Sequence, residues 1–254
     1  MAKSPSGQDY IVPNFAEVIE ILESLGAQWN PLNDDLLIAH LKNRHAAGEL
    51  VMTALRKADA FDQLMTDQRV LAYVPLNGTV RRVLATAKAC KMTPSTIERV
   101  KNLKDLVDGT NVVQTAAERD KKSEKAKALL PEGTDAPETP KPQSVSQQSF
   151  EERLTNYKGL VTLLETAGDY RTNEDDLTLA ALTAYAAELT AANKATKDAD
   201  KAWDAKRLER DKILMGVTDS IYADVKDIKT ELLRIEKGQG VNFKKVAAFS
   251  FVKK

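Results

Sequence analysis

Two histidines and two acidic clusters are the residues whose types could bind a metal ion. His40 and His45 lie five residues apart, whereas two ligands on one helix face need a spacing of four. The clusters at Asp34–Asp35 and Glu174–Asp176 would also need Glu-x-x-His pairs to resemble the carboxylate metal sites of helical bundles, and neither histidine completes one. Helix capping explains the acids better. We therefore predict no metal ion and no other cofactor.

Cys90 is the one thiol of the chain and could act as a nucleophile only as a thiolate. Lys88 and Lys91 would favour that form, but no histidine lies nearby in sequence to act as its base. A buried or idle cysteine is the better interpretation. A single cysteine also forms no internal disulfide, which agrees with a reducing compartment, and we predict a cytoplasmic protein.

Asp59 and Asp200 recur within two Ala-rich stretches, and we interpret them as ordinary exposed positions. No Gly-rich phosphate loop and no dinucleotide-binding signature occurs in the sequence. We therefore predict that the protein is not an enzyme. An unrecognised catalytic site stays open as an alternative, because such sites are defined by geometry and not by residue order.

The composition excludes other classes of function. The 37 basic residues equal the 37 acidic ones, so no net charge favours nucleic acid. No stretch approaches the roughly 18 consecutive apolar residues of a membrane span. With 43% hydrophobic but only 6% aromatic residues, the chain has the composition of a helix-rich bundle, and we predict an all-α fold.

Two parts of the sequence resemble each other and indicate an internal repeat. Residues 21–36 read ILESLGAQWNPLNDDL and residues 163–177 read LLETAGDYRTNEDDL, one residue shorter. DDLLIAHL at 34–41 then falls on DDLTLAAL at 175–182, and the alignment continues without a gap to bring Asp59 onto Asp200. We predict two diverged copies of one helical unit.

Each copy is predicted to contain three helices. The first runs over residues 14–25 or 149–167 and ends at a glycine suited to the left-handed conformation, Gly26 or Gly168. The second begins at an Asn cap, Asn33 or Asn173, and continues for about 40 residues with coiled-coil-like apolar spacing.

The predicted third helix follows a break at VPLNG (residues 74–78) in the earlier copy and a break near Gly216 in the later one. In the earlier copy it restarts after Thr93-Pro94 and ends near Gly109. In the later copy an apolar face begins at Val217. Two such units pair, in this interpretation, into an elongated helical bundle with long coiled-coil-like middle helices.

These elements give a five-part organisation. A flexible amino-terminal arm covers residues 1–13, the first repeat 14–117, and a charged, Pro-rich linker 118–148. The second repeat covers 149–238, and an apolar tail covers 239–254. Alternating apolar residues predict a strand-like tail that docks on the bundle or binds another subunit or a protein partner. The candidate partner-binding residues are Val241, Phe243, Phe249, Phe251 and Val252.

Two functions remain in view. The first is a non-enzymatic structural or interaction protein that associates with itself or docks a protein partner, with homo-oligomers as one form. The alternative is a small-ligand or metal-binding bundle with a site between the two repeats, where His45, Asp59 and Asp200 are the polar candidates. Four aromatic residues could anchor a partner but are interpreted as core fillers: Trp29, Phe61, Tyr73 and Trp203.

Overall fold

The computed structural model describes residues 9–109, 149–236, 240–249 and 251, and within these ranges the protein is all-α without a strand. We call residues 9–109 the first half and residues 149–251 the second half. The helices of the first half are α1 (Ile11–Ser24), α2 (Ile38–Tyr73), α3 (Leu76–Ala89) and α4 (Pro94–Asp108). Those of the second half are α5 (Phe150–Ala167), α6 (Leu179–Met215), α7 (Ile221–Ile235) and α8 (Val241–Ala248).

Several helix ends follow from local sequence signals. The hydroxyls of Thr93 and Ser149 accept hydrogen bonds from the backbone amides of Thr96 and Glu152 and so cap α4 and α5. Gly26, Gly109 and Gly168 have positive φ of 54°, 74° and 70° just after α1, α4 and α5. A left-handed residue ends a helix at little cost when it is glycine. The predicted stops at these three glycines are therefore confirmed.

The start of each long helix lies later than predicted. The Asn33 side chain accepts a hydrogen bond from the amide of Asp35, but it caps a short 3₁₀ turn at Asp34–Leu36, and α2 starts only at Ile38. An equivalent turn at Asp175–Leu177 precedes α6. Each turn places one leucine in the core, Leu36 or Leu177. A helix that began at the Asn would direct this leucine away from the core.

The loop before each 3₁₀ turn is held by an aromatic side chain. The indole N–H of Trp29 donates to the carbonyl of Leu36 at 3.1 Å, and the hydroxyl of Tyr170 donates to the carbonyl of Leu177 at 3.2 Å. Trp29 and Tyr170 are both buried. Each loop is thus closed by the same kind of ring-to-backbone hydrogen bond.

Three other expectations were wrong. Helix α3 already begins at Leu76, so Asn77-Gly78 lies within it, and the break after α2 is confined to Val74-Pro75. Val217 is 97% exposed, because α7 begins four residues later behind the cap of Ser220. The tail is helical over Val241–Ala248 and not strand-like, since Val246 lies on a helical face that packs on the core.

The described helices divide into two compact units that do not follow the order of the sequence. One unit comprises the described residues of Met1–Leu64 and Asp198–Lys254, and the other comprises the described residues of Met65–Lys197. We call them unit 1 and unit 2. Unit 1 therefore combines α1 and most of α2 with the later part of α6, α7 and α8. Unit 2 combines the end of α2, α3 and α4 with α5 and the first part of α6.

In each unit the first helix of one half packs with the later helices of the other half. In unit 1, α1 contacts α7 and α8. In unit 2, α5 contacts α4. The two apolar cores each contain a fully buried aromatic ring, Phe15 in unit 1 and Tyr157 in unit 2. Burial of these aliphatic and aromatic faces is the main force that holds the two halves together within each unit.

The end of α4 and the start of α5 lie side by side, because Nε of Arg153 donates to the carbonyl of Val107 at 3.3 Å. A helical hairpin of this kind needs only a few connecting residues. Replacing residues 110–148 by a six-residue Gly/Ser turn should therefore preserve the fold. We expect the free energy of unfolding to rise by about 1.5 kcal/mol through the smaller entropy of loop closure, as measured by urea denaturation. A loss of stability would contradict this expectation.

Candidate functional site

The residues with the chemistry of metal ligands are dispersed. His40 is exposed, and Nδ1 of His45 lies 3.9 Å from a carboxylate oxygen of Glu49. Asp59 accepts a hydrogen bond from Gln63 at 2.9 Å, and Asp200 is exposed. Within the described ranges, no group of three or more His, Cys, Asp or Glu side chains could hold a metal ion. The structure thus does not bring the three polar candidates together.

Cys90 and the later acidic cluster tie the loop before α6 to α3 in unit 2. The thiol donates to the carbonyl of Arg171 at 2.8 Å and accepts from the amide of Arg171 at 3.4 Å. The Arg82 guanidinium pairs with Glu174 and with Asp176, and hydrogen bonding to Arg82 lowers the pKa of Asp176. These groups stabilise the loop, since each is hydrogen-bonded to or paired with a neighbour in the same unit.

The four aromatic residues differ in their exposure. Trp29 and Tyr73 are buried, and the Tyr73 hydroxyl donates to the carbonyl of Phe150 at 2.9 Å. Trp203 is half-buried beneath the Arg207 guanidinium, which lies 5.2 Å from the centre of its ring. Phe61 is 49% exposed, so for this residue the interpretation as a core filler was wrong.

Phe61 belongs to an exposed apolar face of α2 within unit 1. Leu50, Phe61 and Leu64 are 73%, 49% and 50% exposed. Their separations of eleven and three residues match three turns and one turn of an α-helix, so they lie on one side of α2. Lys57 lies on the same side, between the first two. We call Leu50, Phe61 and Leu64 the α2 face.

The corresponding positions of α6 carry much smaller side chains. In the alignment that places Asp34 on Asp175, Phe61 and Leu64 fall on Ala202 and Ala205, both of which are exposed. The helical framework therefore does not require large apolar residues there. Exposed apolar side chains that cluster, and do not occur singly, are typical of a docking surface.

The predicted partner-binding residues of the tail lie mostly within unit 1. Phe251 is 4% exposed, Phe243 and Phe249 are half-buried against the same core, and Val241 is 67% exposed. Val252 lies outside the described residues. The amide of Phe243 also donates to a Glu236 carboxylate oxygen at 2.9 Å, which holds α8 beside the end of α7. The described tail thus docks in cis.

A polar cleft of about 490 Å³ opens in unit 1 where α2 meets the start of α7. Arg44 lines the cleft and pairs with the buried Asp224, with Nε and Oδ2 3.1 Å apart. Its Nη1 also donates to the carbonyl of Asp219 at 2.6 Å. The cleft wall includes Asp35 and Asp227 as well, so carboxylates outnumber cations in it.

Burial has the largest effect on the ionisation of Asp224 in this cleft. It raises the pKa of Asp224, whereas the charge and hydrogen bond of Arg44 lower it, and the charges of Asp227 and Asp35 raise it again. The pairing with Arg44 does not fully offset the loss of hydration of the Asp224 carboxylate. Asp224 therefore ionises less readily in the folded protein than in the unfolded chain.

A second groove, of about 580 Å³, runs between α5 and α6 in unit 2. Its floor is apolar and includes Val161 and Ala186, and Lys158 and Glu165 stand among its walls. The volume falls within the range typical of small-ligand sites. Both walls of this groove come from the second half, whereas the Arg44 cleft takes residues from both halves.

No protein-family model, curated protein or solved structure matches this chain. No helix among the described residues is both long enough and apolar enough to cross a bilayer.

Sequence reasoning named Phe61 but missed Leu50 and Leu64, and it missed the Arg44–Asp224 pair altogether. A signal for the α2 face was present, because the internal alignment sets Phe61 and Leu64 against alanines. No sequence signal pairs Arg44 with Asp224, since they lie on different halves and are brought together only by the packing of α2 against α7.

Docking of the tail in cis predicts a stability effect. Phe251→Ala should lower the free energy of unfolding by about 3 kcal/mol, because it removes a buried ring. Val241→Ala, at an exposed position of the same tail, should change stability by less than about 0.5 kcal/mol. Urea denaturation of both variants provides the measurement. Equal stability of the two would refute cis docking of Phe251.

The raised pKa of Asp224 predicts a pH dependence of stability. Because the carboxyl has a higher pKa when folded, stability should fall as the pH rises from the ordinary carboxyl pKa of about 4 through the raised value. Asp224→Asn should remove this fall, whereas the exposed Asp227→Asn should retain most of it. Urea denaturation between pH 3.5 and 7 tests this, and an identical pH slope in wild type and Asp224→Asn would count against it.

Proposed function

We propose that this chain is a non-enzymatic structural or interaction protein that associates with itself or docks a protein partner through the α2 face. The observation that carries the proposal is the exposure of Leu50, Phe61 and Leu64 on one side of α2. A single charge, Lys57, accompanies them on that side. Exposed apolar side chains on one side of a helix with few charges among them are common in protein interfaces.

The size of this surface indicates a modest affinity. Each of the three side chains retains about half of its area or more in contact with water, so docking would stabilise a complex by about 1 kcal/mol per side chain. A gain of about 3 kcal/mol falls short of the cost of association. Further polar contacts are therefore required, and we expect a concentration-dependent assembly and not a permanent one.

We also propose that the chain arose as two diverged copies of one helical unit. The support is a set of equivalent structural details. Trp29 and Tyr170 occupy matching loop positions and donate to matching carbonyls. Buried positions of α1 also align with buried positions of α5 when Gly26 is placed on Gly168. The pairs are Val12 with Leu154, Phe15 with Tyr157, Val18 with Leu160, Ile19 with Val161, and Leu22 with Leu164.

Within this proposal, fewer of the candidate tail residues are accessible to a partner than the sequence predicts. Val241 is the one predicted tail residue that is largely exposed among those described, whereas Phe251 is engaged in the core of unit 1. The tail would therefore contribute to docking through its outer side, or after release from the core. A reducing cytoplasm remains our proposed location, on the argument of the single cysteine.

A small-ligand function is the second candidate, and the groove between α5 and α6 favours it. Its volume of about 580 Å³ and its apolar floor would suit a small apolar molecule. This groove would replace the predicted site between the repeats. Retention of an apolar dye by wild type, and its loss in Ala187→Leu, would support this candidate over the first.

Sedimentation velocity over a wide concentration range tests self-association. We expect wild type to form a larger species as its concentration rises, and Phe61→Asp to raise the dissociation constant at least tenfold, since it places a charge in the α2 face. Leu208→Asp is the matched control, because Leu208 is 66% exposed on α6, and it should sediment as wild type does.

Two results would contradict self-association through the α2 face. A wild-type mass of 28.0 kDa at every concentration would exclude self-association. An assembly that is unchanged by Phe61→Asp would exclude the α2 face as its contact.

A further inference from the structure

Contacts between the first and second halves build both units. In unit 1, Arg44 of α2 pairs with Asp224 of α7. In unit 2, the Tyr73 hydroxyl donates to the Phe150 carbonyl, and the Tyr185 hydroxyl donates to the Ala72 carbonyl at 2.7 Å. Each half thus completes its buried surface on the other.

We propose that the two halves are mutually specific binding partners, so that each binds the opposite half, of its own or of a second molecule, and rejects a copy of itself. This inference rests on the proposed duplication, since two related copies could in principle pair in three ways. The specificity lies in two pairs of positions, Gly48 with Ile221 and Arg44 with Asp224.

The first pair is steric. A Cβ atom added at Gly48 would lie 3.0 Å from Cδ1 of Ile221 and 3.1 Å from Cγ2 of Val12. The position on α6 that aligns with Gly48 is Leu189, which is fully buried in the core of unit 2 together with Val80, the counterpart of Ile221. Unit 1 therefore combines a glycine with the larger isoleucine, and unit 2 combines a leucine with the smaller valine.

The second pair is electrostatic. Arg44 aligns with Tyr185, and Asp224 aligns with Val83. Unit 1 has an ion pair between the half-buried Arg44 and the buried Asp224, whereas unit 2 has a buried valine and a half-buried tyrosine at these positions. Tyr185 is neutral at physiological pH already at the ordinary tyrosine pKa of about 10, and burial raises its pKa further, to about 12.

Self-pairing would break both arrangements. Two second halves would bring Leu189 against Ile221, at a place where even one added carbon is already crowded, and would set Asp224 beside Tyr185 without a cation. Two first halves would leave a gap between Gly48 and Val80 and would place Arg44 beside Val83 without an anion. Overpacking, cavities and unpaired buried charges each destabilise, so both wrong pairings are disfavoured.

The length of the connection between the halves permits exchange between molecules. The Val107 carbonyl and the Arg153 side chain are in contact, so pairing within one molecule needs only a few connecting residues. Residues 110–148 provide far more than that. A chain of this length would allow the first half of one molecule to pair with the second half of another at high concentration.

The test uses the full chain with a specific protease site inserted in the linker at residues 131–148. Ordinary and isotope-labelled proteins are cleaved, unfolded in urea as a mixture, refolded by dilution and weighed by native mass spectrometry. We expect first-with-second pairs in all isotope combinations and at least about tenfold fewer same-half pairs. Comparable amounts of same-half pairs, or two separate halves, would overturn the proposal.

Substitutions then test the two pairs of positions. Gly48→Leu should weaken the association of cleaved halves at least about tenfold, and adding Ile221→Val, as in unit 2, should recover part of it. Gly78→Leu is the matched control, because nothing lies within 4 Å of a Cβ at Gly78. Arg44→Tyr should also weaken association, and adding Asp224→Val should restore it.

The outcomes separate this inference from the proposed function. Phe61→Asp should leave the pairing of halves unchanged, because Phe61 is 49% exposed and belongs to neither apolar core, whereas it should disrupt assembly of intact molecules. Association of halves that is the same in Gly48→Leu and Arg44→Tyr as in wild type would overturn the assignment of specificity to these positions.

Discussion

The close approach of α2 to α7 at Gly48 is the constraint on which unit 1 depends. The absence of a side chain at Gly48 lets Ile221 and Val12 meet over the backbone of α2. Arg44, one turn earlier, then reaches the buried Asp224. Glycine in the middle of a helix weakens that helix by about 1 kcal/mol, so its presence in a helix of 36 residues is explained by tertiary packing and not by local preference.

Unit 2 has different residues at the positions that align with Gly48 and Arg44. Leu189, at the position that aligns with Gly48, is fully buried, and Tyr157 and Tyr185 pack edge to face with their ring centres 5.6 Å apart. The hydroxyls of both tyrosines donate to backbone carbonyls. An ion pair therefore stabilises one unit at these positions, and a pair of aromatic rings, one buried and one half-buried, stabilises the other. This difference would make each half prefer the opposite half as its partner.

Local signals gave reliable helix ends wherever the cap was made by neighbouring residues. Thr93, Ser149 and the glycines after α1, α4 and α5 behave as the sequence predicts, because their hydrogen bonds and φ angles involve only adjacent backbone. The predicted helix boundaries and the predicted tail were wrong where a contact between residues distant in sequence determines the local structure. Asn33 caps a 3₁₀ turn that seats Leu36 in the core, and the tail adopts a helix because Val246 and Phe251 reach the core of unit 1.

The candidate site likewise combines features that the sequence indicates with features that only the packing of helices determines. Phe61 was identified by residue type, but its exposure depends on which side of α2 the partner helices cover, and the sequence of α2 alone does not fix that side. Among the apolar tail residues, Phe251 is buried and Phe249 is half-buried, whereas Val241 remains 67% exposed. The cover of the two phenylalanines proved to be the core of their own unit, since α8 packs on α1 and α7.

By itself, the sequence determined that the chain is helical, where several of its helices stop, and that its two parts resemble each other. These properties rest on backbone preferences and on apolar spacing within single helices, which are local. Only the tertiary structure decided that each unit draws on both halves, that Arg44 finds Asp224, and that the α2 face remains exposed. Those features arise from packing between residues far apart in sequence, whose partners are set by shape and burial and leave no local pattern to read.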